Sequence, residues 1–283
     1  MKQFSIDSHG LGLRVVGLIR ALKLGTPIRL ILKCAPTKAQ VWYANWRMNI
    51  LMRSGHRLVP EEALEAKYRE ALLALMEEYG PSSLGDYLEF GVCHGTSMAC
   101  MYRASAALEL GHVRLFGFDS FEGLPDAAKT DDGGVWVPGT YKYNKRHAIN
   151  FLKRQGVNLD RVILIKGWFR DTLNEELVDK YNITKASVIM VDCDMYLSAK
   201  EALSFCGPLI QDASIVFFDD WHSNGLAARN MGERRAFEEF LSDNPELTAE
   251  GFGSYHPNTE IFLVKRVPEA LGDGRPSQAE SPR

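Results

Sequence analysis

Two acid-bearing runs stand out. Residues 188–196 read V-I-M-V-D-C-D-M-Y and residues 215–222 read I-V-F-F-D-D-W-H. Each is an apolar, strand-type run that delivers carboxylates at its end. If the two strands share a sheet, Asp192, Asp194, Asp219 and Asp220 converge on one small volume. Carboxylates so placed repel one another unless a cation neutralises them. An all-oxygen donor set suits Mg²⁺, which keeps positions open for water or substrate. The alternatives are one protonated carboxylate, or a pairing with Arg234 or Arg235. His222 directly follows the second acid pair. It is a rival general base, or an exposed loop histidine.

A second stretch, Asp86–Gly95, reads D-Y-L-E-F-G-V-C-H-G. It predicts a strand, a turn with Gly91 and Gly95, and a helix that opens at Thr96 and Ser97 and runs through Ala107. Glycines let a backbone approach a ligand closely, and a helix N-terminus offers free N–H groups. The spacing is not G-x-G-x-x-G, so the dinucleotide fingerprint fails. Glu89 would repel a pyrophosphate. It suits instead the amino-acid end and sulfonium of S-adenosylmethionine. The plain alternative is a βα turn that happens to carry two glycines. Further on, Asp119 ends another apolar run and is placed to accept from both ribose hydroxyls of an adenosine. Its plain alternative is a turn cap, with Ser120 beside it.

These residues need a scaffold. Strands are expected at 113–118, 162–166, 187–191, 214–218 and 260–264. Helices are expected at 147–155, 175–181, 198–206 and 232–241. That alternation predicts an α/β fold with a doubly wound, mostly parallel sheet, whose carboxyl edge gathers Glu89, Asp119, Asp192 and Asp219-Asp220. Before it, a helix begins at Pro60 with Glu61 and Glu62 in its first turn. It carries Leu64, Tyr68, Leu72, Leu75 and Met76 on one stripe and ends at Gly80-Pro81. The chain therefore divides into an N-terminal basic, helical extension (1–80), a catalytic domain (81–267) and a disordered tail (268–283). Between Ser8 and Pro60 there is no Asp or Glu, while Arg and Lys recur among apolar residues. The expectation is an extension packed on the core or on a second subunit. Contact with an anionic membrane surface is the weaker reading. Trp42, Tyr43 and Trp46 have helical spacing and read as packing. The loop 126–146 carries Asp131, Asp132, Trp136, Tyr141 and Tyr143 between glycines and is a lid candidate.

Composition narrows the classes. A net charge of −3 over 283 residues gives no case for nucleic acid as partner. Five scattered cysteines without C-x-x-C indicate neither a zinc knuckle nor a disulfide framework, so a cytoplasmic protein is expected. No membrane span or signal peptide is read.

Taken together, the motifs resemble the macrocin O-methyltransferases and the aminocoumarin sugar O-methyltransferases of the same family. The matching runs are E-F-G-V-x-x-G at 89–95, G-F-D-S-F-E-G-L-P at 117–125, K-G-W-F-x-D-T-L at 166–173, D-x-D-M-Y at 192–196 and F-D-D-W at 218–221. The resemblance covers roughly residues 85–265 and is specific by its joint occurrence and order. It implies a class I, Rossmann-like methyltransferase that uses S-adenosylmethionine and Mg²⁺ on a hydroxyl of a sugar-like or natural-product acceptor. By it, Glu89, Gly91 and Gly95 face the methionine end of the cofactor, with Val92 and Ser97 in the same cradle. Asp119 and Ser120 hold the ribose, and Gly167, Trp168 and Phe169 flank the adenine. Asp192, Asp219 and Asp220 match the metal ligands, and Asp194 the base. Catechol-type enzymes place a lysine three residues after the first metal aspartate. Met195 stands there in this chain, which favours a carboxylate base and a sugar-like acceptor over a catechol. The basic segment 8–60 matches nothing in the family pattern. Two rivals remain: a metal-dependent glycosyltransferase using Asp192-Cys193-Asp194 as a D-x-D motif, and a non-catalytic binding member. A homo-oligomer is expected.

Overall fold

The computed structural model describes residues 37–267. The first 36 residues, which hold most of the basic segment, and the expected tail 268–283 lie outside the described residues. The elements run α1 (Thr37–Arg53), α2 (Glu61–Tyr79), β1 (Asp86–Phe90), α3 (Thr96–Ala107), β2 (Leu115–Asp119), α4 (Lys145–Arg154), β3 (Val162–Lys166), α5 (Phe169–Thr172), α6 (Glu175–Tyr181), β4 (Ala186–Val191), α7 (Tyr196–Cys206), β5 (Ala213–Phe218), α8 (Gly232–Asp243), β6 (Leu247–Gly253) and β7 (Glu260–Arg266).

Seven strands form one sheet in the order β3-β2-β1-β4-β5-β7-β6. The first five are parallel, and β7 runs antiparallel to both β5 and β6. Every residue of β1, β4 and β5 is buried. Helices cover both faces of these central strands, so they read as continuous apolar runs rather than alternating ones. On one face, Leu64, Tyr68 and Leu72 of α2 and Met98 and Met101 of α3 pack against Tyr87 and Phe217. On the other, Leu203 of α7 and Phe237 and Phe240 of α8 pack against Leu88, Phe116 and Phe218.

Register decides where the acids emerge. Phe90 pairs with Val191, and Val191 with Phe218. The ladder then continues one residue past the strand ends. The Asp192 N–H donates to the Phe90 carbonyl (2.9 Å), the Asp219 N–H to Val191 (3.1 Å) and the Gly91 N–H to Phe118 (2.9 Å). Backbone hydrogen bonds thus hold Gly91, Asp192 and Asp219 at one level of the carboxyl edge.

Three expectations change. The boundary at residue 80 cuts through the core, because α2 buries Leu64, Tyr68, Ala71, Leu72 and Leu75 in the same cluster as the strands. Each of the three leucines contributes roughly 1.5–3 kcal/mol. Strand β6 has no counterpart among the expected strands. Its sequence, L-T-A-E-G-F-G, is mostly polar or small, and its pairing with β7 leaves much of it solvent-facing. Trp42 is not packed: it is 66% exposed and stacks on Trp46 with ring centroids 6.2 Å apart. Among the described residues no helix is long and apolar enough to cross a membrane.

Candidate active site

A cavity of about 390 Å³ opens at the carboxyl edge of β1, β2, β4 and β5. One end is walled by Gly91, Asp119, Ser120, Gly167, Trp168 and Phe169, the other by Asp192, Asp194, Asp219 and Asp220. Its volume falls in the range of small-molecule sites. Leu58, Val59 and Pro60, between α1 and α2, close part of the rim together with Tyr141 and His256.

The glycine turn is built differently from the sequence expectation. Gly91 has φ +99°, and a Cβ there would lie 1.7 Å from the Asp192 carbonyl oxygen. Its closest constraint is therefore the neighbouring protein backbone. Glu89 is fully buried, and its carboxylate accepts from the hydroxyls of Tyr87 (2.7 Å) and Ser97 (2.7 Å). Burial pushes its carboxyl up to about 8, against the two hydroxyl hydrogen bonds. Glu89, Val92, Gly95 and Ser97 are not part of the cavity wall; they lie in the layer that supports it. Of the expected cradle residues, Gly91 alone faces the cavity.

Asp119 accepts from the backbone N–H groups of Val92 (2.9 Å), Cys93 (2.7 Å) and Phe121 (2.6 Å). Burial raises its carboxyl, and the three N–H groups oppose that rise. A carboxylate offers about four acceptor positions. One remains, enough for a single ribose hydroxyl rather than the expected pair. The Ser120 hydroxyl is engaged in its own turn: it donates to the Gly123 carbonyl (3.1 Å) and accepts from the Glu122 N–H (3.0 Å). Trp168 lines the cavity. Phe169 does so too, while its ring also meets Phe90 edge-on at 5.7 Å.

At the other end, Asp192, Asp219 and Asp220 each offer one oxygen, all within 4.8 Å of one another. Burial, then mutual repulsion, raises the Asp192 carboxyl and takes Asp219 up to about 6. The Tyr255 hydroxyl donates to Asp219, and the Ser223 hydroxyl donates to Asp220 (2.6 Å). The Asp220 N–H donates to Oε2 of Glu233 (3.1 Å), a residue 1% exposed whose Oε1 has no hydrogen-bond partner. Three carboxylates in one volume, oriented by two hydroxyls and backed by an unpartnered buried carboxylate oxygen, fit a hard divalent cation. Neither Arg234 nor Arg235 neutralises them: the two guanidinium groups pair with Glu238 and Glu239. Asp194 sits in the cavity wall with φ +67°, a conformation uncommon for a residue other than glycine, and within hydrogen-bond reach of Asp220.

His222 is elsewhere. Its ring nitrogen pairs with Glu260 at 3.4 Å, and it is absent from the cavity wall, so the structure does not bring it to the acids. Ser223 and Glu233, at Asp220, escaped the sequence reading, as did two further residues: Tyr255, on Asp219, and His256, in the wall. Both belong to the turn between β6 and β7, and without β6 that turn has no visible place.

The expected lid is anchored at two places. Asp132, buried and at φ +51°, accepts from the N–H of Tyr196 (2.9 Å) and of Gly232 (2.8 Å), while Asp131 accepts from Leu197 (2.9 Å). These acids cap the starts of α7 and α8. Further along, the Asn45 side chain of α1 donates to the Gly139 carbonyl (2.6 Å) and accepts from the Lys142 N–H (3.3 Å). Between those contacts Tyr141 faces the site, and burial with the charges of Asp194, Asp220 and Asp192 pushes its hydroxyl up.

Comparison with known proteins agrees with this architecture. Residues 55–244 match the model of the macrocin O-methyltransferase family, TylF. A Streptomyces olivaceus protein named 8-demethyl-8-(2,3-dimethoxy-alpha-L-rhamnosyl)-tetracenomycin-C 4'-O-methyltransferase is 29% identical over 144 residues, 48% of this chain and 53% of that protein. The demethyldecarbamoylnovobiocin O-methyltransferase of Streptomyces niveus is 27% identical over 143 residues, with the same coverage. The chain thus spans about half the length of the curated relatives it matches. Among solved structures, the O-methyltransferase NovP aligns with a TM-score of 0.60 at 18% identity, covering 72% of this chain and 80% of that one. The calicheamicin methyltransferase CalS11 aligns at 0.57 and 20% identity, covering 96% and 95%. These likenesses establish the class I methyltransferase fold. With the family match spanning most of the chain, and with the order of its strands and acids, this chain belongs to the macrocin O-methyltransferase family.

Proposed function

We propose that the chain is an S-adenosylmethionine-dependent, Mg²⁺-dependent O-methyltransferase acting on a hydroxyl of a sugar-like or natural-product acceptor. The observation that carries this reading is one cavity with two chemically distinct ends: Asp119 with Trp168 at one, and Asp192, Asp219, Asp220 and Asp194 at the other. One curated relative is named as an O-methyltransferase of a rhamnosyl tetracenomycin and the other of demethyldecarbamoylnovobiocin, which supports the acceptor class. Family membership argues against reading Asp192-Cys193-Asp194 as a glycosyltransferase motif.

When bound, S-adenosylmethionine supplies an electrophilic methyl group, and Mg²⁺ supplies Lewis-acid polarisation of a hydroxyl oxygen. The rest is the work of the chain. Asp192, Asp219 and Asp220 would hold the ion, with Tyr255 and Ser223 fixing the rotamers of the last two. Asp119 accepts from a ribose hydroxyl, and Trp168 offers a face to the adenine. Asp194 takes the acceptor's proton on its carboxylate; burial and Asp220 beside it raise its affinity for that proton. Leu58, Val59 and Tyr141 narrow the rim against water. Much of the rate enhancement comes from holding two reactants in line, worth about 7–11 kcal/mol at best. The free thiols of Cys93, Cys100, Cys193 and Cys206 suit a reducing compartment, and the cytoplasm is the proposed one. A second copy of the chain is the proposed partner of the N-terminal segment.

Calorimetric titration tests the reading. S-adenosylhomocysteine should bind the wild-type protein with micromolar affinity, and Mn²⁺ should bind the wild type but not Asp192→Asn. A folded protein that binds no S-adenosylhomocysteine would sink it.

A further inference from the structure

A second cavity, about 830 Å³, lies between α1 and the edge formed by β2 and β3. It shares a wall with the first. Along residues 119–123, Asp119, Ser120 and Gly123 line the first cavity, whereas Phe121 and Glu122 line the second. Tyr141 and Lys142 divide in the same way.

Two features of this cavity serve none of the chemistry above. One is charge. Lys142, Lys145 and Lys166 face it against one carboxylate, Glu122. Lys142 and Lys166 both pair with Glu122, the latter at 2.9 Å, and the Lys145 ammonium donates to the Leu164 carbonyl at 2.8 Å. Three cations against one anion leave the wall with a net charge of two positive units, although Lys142 and Lys166 share Glu122. The other feature is the aromatic pair from α1. Trp42 and Trp46 stack with their planes 14° apart, and Trp42 remains two-thirds exposed, so its outer face is free. A flat ring stacks on such a face whatever its hydrogen-bonding edge, and ammonium groups act as point charges toward phosphate. Each bridging phosphate of a diphosphate diester carries one negative charge, so the pair matches the excess. The chain's own N-terminal segment is a poor occupant. Residues 8–36 contain no acid and carry Arg14, Arg20, Lys23, Arg29 and Lys33, so the lysines repel it.

We propose that this second cavity binds a nucleoside diphosphate group, with its ring on Trp42 and its phosphates among Lys142, Lys145 and Lys166. The group comes from two sources, a free nucleotide or the nucleotide handle of an activated sugar. The site uses none of the carboxylates assigned to methyl transfer and stands or falls separately from that reading. Because the two cavities share the 119–123 turn, occupancy of one should change affinity at the other, equally in both directions.

The test is calorimetry on the full chain with excess S-adenosylhomocysteine and EDTA, titrating UDP, UDP-glucose, uridine and pyrophosphate. UDP should bind, and uridine and pyrophosphate should each bind at least about tenfold more weakly. Trp42→Ala should weaken UDP about tenfold. The exposed pair Lys142→Gln with Lys166→Gln should weaken it further and flatten its salt dependence. UDP-glucose binding as tightly as UDP, or more so, points to an activated sugar; preference for UDP points to the free nucleotide. The proposal is overturned if UDP does not bind, or if its affinity is the same in Trp42→Ala. It is also overturned if binding needs Mn²⁺ and is lost in Asp192→Asn, or if Trp42→Ala abolishes only adsorption to phosphatidylserine vesicles. The separate S-adenosylhomocysteine titration reports on the methyltransferase reading.

Discussion

The Tyr255 hydroxyl donates to the Asp219 carboxylate, joining the turn between β6 and β7 to the acid cluster at the end of β5. A hydrogen bond of this kind orients a ligand without touching the ion, and its loss commonly costs 10–100-fold in metal affinity. Tyr255→Phe keeps the ring contact with Phe217 and removes only the donor. Its Mn²⁺ affinity, measured by calorimetry, should fall about tenfold. An unchanged affinity would make Tyr255 a packing residue.

Asp194→Asn removes the proposed proton acceptor while keeping side-chain volume. Methyl transfer should slow by roughly 10²–10⁴-fold. S-adenosylhomocysteine affinity should not move, because Asp194 lies at the acid end of the cavity. A variant that keeps wild-type turnover would eliminate Asp194 as base.

Glu89 gives a pH signature. Its carboxyl stands near 8 in the folded chain against an ordinary 4.5. Between those values the folded state holds a proton that the unfolded state releases. Its contribution is therefore fully present below about 4.5 and is lost as pH rises towards 8. The loss amounts to a few kcal/mol at order of magnitude. Glu89→Gln keeps a neutral side chain of the same shape, so its melting temperature should decline less than the wild type's from pH 5 to pH 9. Parallel profiles would place the proton elsewhere.

Gly91 and Gly95 both have positive φ, yet their surroundings differ. A methyl group at Gly91 meets the Asp192 carbonyl oxygen at 1.7 Å, whereas at Gly95 it meets the Leu152 side chain at 3.4 Å. Gly91→Ala should prevent folding. Gly95→Ala should fold with a loss of about 1–2 kcal/mol from the left-handed backbone alone. Circular dichroism melts of both variants decide this, and a well-folded Gly91→Ala would be incompatible with the described contact between β1 and β4.

Asp132→Ala strips the partners from the N–H groups of Tyr196 and Gly232. Two unsatisfied donors cost roughly 2–6 kcal/mol together. The melting temperature should drop by at least about 5 °C. A change under one degree would show that water replaces the carboxylate.

The parallel core was readable because its strands are buried on both faces. V-I-M-V and I-V-F-F leave no other reading for their length, and the acids that follow them mark the ligand edge. The roles of individual cradle residues were not readable. Whether Glu89 points into a cavity or into the core depends on Tyr87 and Ser97, and motif spacing says nothing of either. Gly91 reads as a close approach of backbone to ligand, whereas the group that crowds it is the carbonyl of Asp192, a hundred positions later. Strand β6 was invisible because it packs with little burial, and Tyr255 and His256 went with it. The exposure of Trp42 likewise follows from where α1 rests, which periodicity cannot show.

Leu58, Val59 and Pro60 lie outside the sheet, in the link between α1 and α2, yet they line the cavity, while Asn45 holds the 139–142 stretch. A chain that began at α2 would retain every strand, every carboxylate of the cavity and all of the described buried apolar residues except Met52 and Val59. It would fold and be left with a site open on one side. The unit that is stable and the unit that is competent are therefore not the same length of polypeptide. Truncation can separate them, and melting curves alone would not reveal the loss.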